Sequence, residues 1–412
     1  MRRLPVIVVA FAALVALVVQ PGRIAAQAPA LGGLWDATVT VGGIDIPFRM
    51  ELSSSGAAAK GSFFNGDEKV TSTTGSFEGG SLTLSFDEYG TTLQAALKDG
   101  SLDGQYARGT RGAPYPFHAK RFVPAPAPEG SVPSIAGLWN IQTKSSKGED
   151  AWHLIVRQSG AEVSAAILRV DGDTGTLTGS WRDGRFVLGH FSGARPLRVE
   201  ITPAADGTIA VVQNTEAALT AMRADQARSK GLPQPTDPSR FTSVKDPTEP
   251  FRFSFANLDG KIVSNTDPQF RGKVVIVDIS GSWCPNCHDE TPFLVELYKK
   301  YRGRGLEIVA LSFEEAAQLK NPARLRAFIK HYGIDYTVLV PGEPREASEK
   351  LPQTVNLNSF PTTFFLDKAG RVRAAHAGFP GKASGAFHEE AKKEITHTIE
   401  QLLAEPVQSS SK

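Results

Sequence analysis

"VVIVDISGSWCPNCHDETP" (residues 274–292) contains both cysteines of a chain of 412 residues. The apolar run Lys273–Ser280 reads as a strand buried on both faces. Beyond the cysteines, Phe293, Leu294, Leu297 and Tyr298 fall on one face of a helix spanning Thr291–Tyr301. Cys284 and Cys287 therefore stand where a buried strand gives way to a helix. Pro285 suits the first helical turn, where its missing N–H costs nothing. The unpaired N–H groups and positive dipole end of that turn favour a thiolate at Cys284. Cys287, one turn on, lies on the same face and within reach of a disulfide.

Such a pair serves as a covalent staple, as half of a metal site, or as a redox couple. A three-residue loop constrains little of the unfolded chain, so the staple contributes little. The eight histidines are scattered, and no second cysteine pair completes a zinc site, so no metal and no cofactor is expected. The redox couple is the reading that suits a disulfide at a thiolate-stabilising position.

From Phe251 onward strands and helices alternate. "FRFSFANLDGKIV" reads as a hairpin turning at Asp259-Gly260, and Leu306–Phe313 as a second buried strand. Pro322–Tyr332 reads as a helix, "TTFFLDKAGRVRAAHAGF" as a hairpin turning at Asp367–Gly370, and Glu389–Leu403 as a closing helix. The alternation implies an α/β domain over 251–405 with helices on both faces of a mixed sheet.

Over this region the sequence resembles the thioredoxin superfamily, specifically the TlpA/ResA-like thiol–disulfide oxidoreductases exported by bacteria. The resemblance implies that Cys284 is the attacking thiol and Cys287 the resolving one, with Trp283 shielding the disulfide. It also implies a cis proline at Pro361 in "SFPTTFF", with Phe360 and Thr362 lining a substrate groove. Asp278, six residues before Cys284, has the spacing of the buried thioredoxin aspartate. Buried there, its pKa would rise and it would take a proton from Cys287. Glu290, three beyond Cys287, matches a glutamate that tunes the cysteines in ResA-like proteins. His288 and Asp289 read as surface residues.

Upstream, "GLW" at Gly33–Trp35 returns at Gly137–Trp139, and "TGSFEGGSLTL" (Thr74–Leu84) aligns with "TGSWRDGRFVL" (Thr178–Leu188) in the same register. "FHAKR" (Phe117–Arg121) answers "LTAMR" (Leu219–Arg223). Both units, 29–122 and 135–224, alternate apolar and polar residues between turns such as Asp99-Gly100 and Asp183-Gly184, so both are all-β, a small barrel or sandwich. The Gly-x-Trp opening strand and closing arginine resemble the calycins (lipocalins and avidins), in which the arginine packs over the tryptophan. A ligand or partner pocket and a mere spacer are both open readings of these units. Pro/Ala-rich 123–134 and the 225–250 segment read as linkers, and 406–412 as a disordered tail.

Residues 1–28 have the charged, apolar and small-residue order of a secretory signal peptide, with the uncleaved anchor as alternative and sole membrane contact. A periplasmic, exported protein is expected. Lys+Arg 45 against Asp+Glu 43 gives a net charge of +2, so nothing calls for nucleic acid. Together with the leader, the resemblance to the TlpA/ResA-like proteins implies an exported protein-disulfide reductase acting on disulfide-containing proteins and re-reduced by a membrane electron donor. Its alternatives are a binding β-domain protein with a redox-sensing module, and a thiol peroxidase. The peroxidase would need Pro-x-x-x-Thr/Ser-x-x-Cys, and Val277 and Gly281 stand at those places.

Overall fold

Along the strand Ile44–Ser55 every second residue from Ile46 to Leu52 is buried, the period of a sheet with one face inward. The computed structural model describes residues 31–124 and 130–406; the expected signal peptide, part of the Pro/Ala linker and most of the expected tail lie outside them. Nine strands run from Gly33–Val41 to Tyr115–Arg121; eight of them pair antiparallel in sequence order, the last with the first, to close a barrel, while Glu68–Thr71 pairs only with Ala58–Asn65. Nine more, from Gly137–Gln142 to Leu219–Arg223, form a second barrel in the same order, with Gly172–Asp173 as the strand at its margin. The tryptophan and arginine occupy equivalent places in both. Trp35 is in register with Arg121 and Trp139 with Arg223, the guanidinium carbons lying 4.5 and 4.0 Å from the ring centroids. Each indole N–H donates to the carbonyl four residues earlier, Leu31 and Ile135. Asp99-Gly100 and Asp183-Gly184 have positive φ at both residues, as type I′ hairpin turns require.

Side chains fill the first barrel: Trp35, Phe63, Phe86 and Tyr106 are fully buried within it. Phe191, from the second barrel, inserts among them, its ring centroid 4.9 Å from Phe48 and 5.0 Å from Tyr106. The plug locks the barrels together, and the Tyr106 hydroxyl donates to Gly193 O at 2.9 Å. The chain leaving Phe191 is thereby held in a fixed position as it runs toward the cysteine motif.

The C-terminal domain is built on a five-stranded mixed sheet in the order Thr337–Leu339, Leu306–Ser312, Val274–Ser280, Thr362–Leu366, Val372–Ala377. The first three are parallel, and Thr362–Leu366 runs antiparallel to both of its neighbours. Val274 and Ile276 pack against the helix Pro285–Tyr301 and the C-terminal helix Ala386–Ala404. Val275, Val277 and Ile279 face the other way, onto Phe251, Phe253 and Phe270. That second face is covered mainly by the hairpin Ser254–Ala256/Ile262–Ser264 and irregular chain, with the four-residue helix Ala347–Lys350, in place of the long helix that strand–helix alternation leads one to expect.

The 225–250 segment is docked and not a free linker. Ser243–Val244 pairs with Thr354–Val355, Thr242 is buried, and Asn356 holds the Phe241 carbonyl. The described residues, 31–124 and 130–406, pack as one unit. The barrels are therefore no spacer holding the redox domain at a distance; they lie against it.

Candidate active site

Cys284 caps the helix Pro285–Tyr301. The Cys287 N–H, one of the donors a helix start leaves without an intrahelical partner, points at Cys284 Sγ from 3.3 Å. Cys284 Sγ in turn donates to Phe360 O at 3.4 Å, and the Phe360–Pro361 bond is cis. Cys284, Cys287, Phe360 and Pro361 are thus brought together, with both cysteines buried as thiols. Trp283 covers the junction: its Nε1 donates to Phe313 O at 2.9 Å and its ring centroid lies 5.4 Å from that of Phe360. Thr362 does not line the groove. It opens a strand buried on both faces, is itself fully buried, and donates its hydroxyl to Ser359 O at 2.8 Å.

Two carboxyls lie beneath the pair. Asp278 and Glu290 are each 2% exposed. Thr363, opposite Asp278 in the sheet, donates its hydroxyl to Glu290 Oε1 at 2.8 Å. The remaining oxygens Asp278 Oδ1 and Glu290 Oε2 are buried without a hydrogen-bond partner. Burial pushes the Asp278 carboxyl up to about 7. Burial, and after it the Asp278 charge, holds Glu290 well above the usual carboxylate range. Burial, then Cys284, pushes the Cys287 thiol up as well, and the Asp278 charge adds to the effect. A thiol that resists ionisation, close to a carboxyl that titrates near neutrality, is what a proton transfer to a general base needs.

The raised Asp278 pKa sets a sign for stability. In the unfolded chain an aspartate titrates near ~3.9. Between about pH 4 and pH 7 the folded chain therefore holds a proton that the unfolded chain has lost, and stability falls as pH rises through that window. Asp278→Asn removes the penalty. It is expected to raise stability at pH 8 by about 2–4 kcal/mol, with the gain gone at pH 4. Urea unfolding at the two pH values checks this; an equal change at both would rule the titration out as cause.

A buried ionic network fixes the turn ahead of the motif. Glu314, with no exposed surface, accepts from the Ser282 N–H and hydroxyl at 2.7 Å each, from Ser312 Oγ at 2.8 Å and from Arg324 Nη2 at 2.8 Å. Arg324 Nε also donates to Ser282 Oγ at 2.8 Å. Nothing in the sequence around Glu314 singles it out.

His288 and Asp289, read from sequence as surface residues, are covered by the barrels. His288 is 4% exposed, stacks on Tyr89 of the first barrel with centroids 4.1 Å apart and planes at 6°, and is hydrogen-bonded to Ser282 O and the Tyr332 hydroxyl. Asp289 accepts from Arg195 Nη2 of the second barrel at 2.7 Å. Asn286, between the cysteines, donates to Asp171 O at 2.6 Å and accepts from Arg195 Nη1 at 2.5 Å. Arg195 sits in left-handed backbone (φ +51°), a conformation a side chain adopts at some cost, held by its neighbours where its guanidinium spans the first turn of the motif helix.

Residues 245–375 match the AhpC/TSA family. The thiol-disulfide oxidoreductase ResA of Bacillus thuringiensis (strain Al Hakam) is 32% identical over 116 residues, 28% of this chain and 60% of that protein. ResA of Geobacillus thermodenitrificans (strain NG80-2) is 28% identical over 138 residues, 34% of this chain and 72% of that protein. The chain thus spans about 60% of the length of the Bacillus relative. Among solved structures, a putative thiol:disulfide interchange protein DsbE from Chlorobium tepidum is 23% identical, with 37% of this chain and 94% of that chain covered and a TM-score of 0.30. With its mixed sheet, its AhpC/TSA match and its likeness to ResA, the C-terminal part of the chain is a thioredoxin-like domain that resembles the TlpA/ResA-like thiol–disulfide oxidoreductases.

Proposed function

We propose that this chain is an exported protein-disulfide reductase. The Cys284 thiolate attacks a substrate disulfide to form a mixed disulfide, and Cys287 resolves it. The observation that carries the reading is the meeting of Cys284 Sγ with the carbonyl of Phe360 at a cis proline. There the nucleophile lies beside a backbone segment able to pair with an extended substrate strand. Asp278 is the proton acceptor for Cys287, and Glu290, held by Thr363, keeps a second neutral carboxyl beneath it. Trp283 and Phe360 form the apolar lip of the groove. Export rests on the leader sequence, residues 1–28, and the exported site calls for a membrane electron donor to restore the dithiol. The duplicated barrels at 29–122 and 135–224 are the substrate-side half of the molecule.

The test is reduction of the interchain disulfides of insulin by the pre-reduced full chain, together with the motif's reduction potential and its redox state in the cell. A potential well above that of the glutathione couple, with the protein mostly oxidised in the cell, would overturn the direction of electron flow proposed. Peroxide reduction lacks its hydroxyl at position 281. A Cβ on Gly281 would stand 2.3 Å from Trp283 Nε1 and 2.6 Å from Phe313 O, so neither serine nor threonine fits there.

A further inference from the structure

A cleft of about 280 Å³ opens where the barrels meet the motif. Trp283 and Pro285, the residues on either side of Cys284, form one wall together with Glu315. Arg108 and Arg111 of the first barrel and Arg195 of the second line the other. Arg195 is paired with Asp289 at 2.7 Å, and Glu315 shares the one guanidinium of Arg324 with the buried Glu314. Arg108 and Arg111 make no such ion pair. Arg108 rests over the Tyr115 ring at 4.5 Å, and Arg111 donates to Tyr89 O at 2.6 Å; among the described residues neither has a carboxylate partner. Arg111 Nε is buried and unpartnered. Burial, and then the Arg324 charge, holds the Arg111 guanidinium below its usual pKa, against the opposing pull of the Glu315 charge. The whole chain carries a net charge of only +2, so two arginines without a direct carboxylate contact, lining the cleft next to the attacking cysteine, are a local feature and not a general basic surface.

The size of the cleft limits its occupant. At about 280 Å³ it falls just below the ~300–1,000 Å³ range that encloses whole small molecules, and it suits a residue or two of a larger substrate. We infer that the cleft is an anion subsite for the polypeptide whose disulfide Cys284 attacks, taking the carboxylate of an aspartate or glutamate one or two positions from the substrate cysteine. The inference rests on the reductase reading for its chemistry. As the Cys284–substrate S–S bond forms, the substrate S–S bond breaks and the departing sulfur leaves as a thiolate that takes up a proton. Cys287 then attacks Cys284 Sγ, breaking the mixed disulfide and releasing the second substrate thiol. Two electrons pass from the dithiol to the substrate. Arg108 and Arg111 pair with the acidic neighbour throughout, from half-buried positions where a guanidinium–carboxylate contact is stronger than on a fully exposed surface.

The experiment uses the pre-reduced full chain and disulfide-bridged peptides that differ only in carrying Glu, Gln or Lys beside the cysteine, with oxidised glutathione as a small carboxylated disulfide. At low ionic strength the Glu peptide is expected to be reduced about 30-fold faster than the Lys peptide, and the ratio to shrink to about 3-fold at ~0.5 M salt. In R108Q/R111Q the low-salt ratio is expected to fall to about 3-fold or less. R49Q/R185Q, which removes the same charge from exposed positions, is expected to keep the wild-type ratio. Glutathione disulfide is expected to react more slowly than the Glu peptide; if it matches that peptide, the subsite serves small disulfides and not polypeptides. Absence of a Glu preference in the wild type, its persistence in R108Q/R111Q, or its equal loss in R49Q/R185Q overturns the assignment. Peptide binding to C284S, followed by anisotropy, needs no electron transfer. A Glu preference in binding with no reduction of any disulfide by the wild type would sink the reductase reading while leaving the subsite in place.

Discussion

Cys284→Ser is expected to slow disulfide reduction by at least about a thousandfold, because it removes the one sulfur placed at the groove. Cys287 cannot replace it. It lies one turn into the helix, and burial holds its thiol well above the usual range, so it supplies little thiolate to an incoming disulfide. A serine hydroxyl can keep the capping contact to the 287 N–H and the donation to Phe360 O, so the fold is expected to lose less than ~1 kcal/mol. Cys287→Ser has the opposite signature. Cys284 still attacks, but nothing releases the product, so the chain accumulates as a covalent adduct with substrate in one-to-one ratio. Intact mass measurement shows the adduct, and an added dithiol discharges it. Wild-type rates in Cys284→Ser, or free product without an adduct in Cys287→Ser, would exclude the order of attack proposed.

What the sequence made legible is what local physics decides. The run Val274–Ile279 is apolar but for Asp278 because both faces of that strand are covered, and the cysteines fall at the junction because Pro285 opens the next helix. The Asp-Gly turns announce themselves through the positive φ that they need at both residues. The Trp35–Arg121 and Trp139–Arg223 pairs were visible because duplication repeats them in register. The residues that were misplaced have partners chosen by tertiary packing. His288 and Asp289 look like any polar pair on an exposed turn, and only the arrival of Tyr89 and Arg195, from elements far away in sequence, buries them. Phe191, in the loop that follows the strand Arg185–His190, gives no sign in its own sequence that it belongs to the neighbouring barrel's core. Thr362 resembles a groove residue by position, yet its strand has no open face.

Arg324→Met is expected to destabilise the chain by about 3–5 kcal/mol, the largest single effect on stability among the changes considered. Arg324 and Glu314 are 4% and 0% exposed, and the arginine is the only cation hydrogen-bonded to that carboxylate among the described residues. Its removal leaves a buried negative charge with two hydroxyls and one backbone N–H for company, none of which supplies a counter-charge. The loss reaches the motif through Ser282, which both Glu314 and Arg324 hold and which directly precedes Trp283. Trp283 emission is therefore expected to shift as the turn loosens, before global unfolding. Arg324→Lys keeps the charge but has one donor group where the guanidinium reaches Ser282 and Glu314 together, so it should cost less, about 1–3 kcal/mol. The decisive comparison is Arg324→Met combined with Glu314→Gln. If the stranded charge is the cause, the double variant is more stable than Arg324→Met alone, since a neutral amide in place of the carboxylate removes the desolvation cost. Urea unfolding measures all three. A double variant less stable than Arg324→Met would mean that the arginine acts through packing of its stem, and that the network around Ser282 is not held by charge.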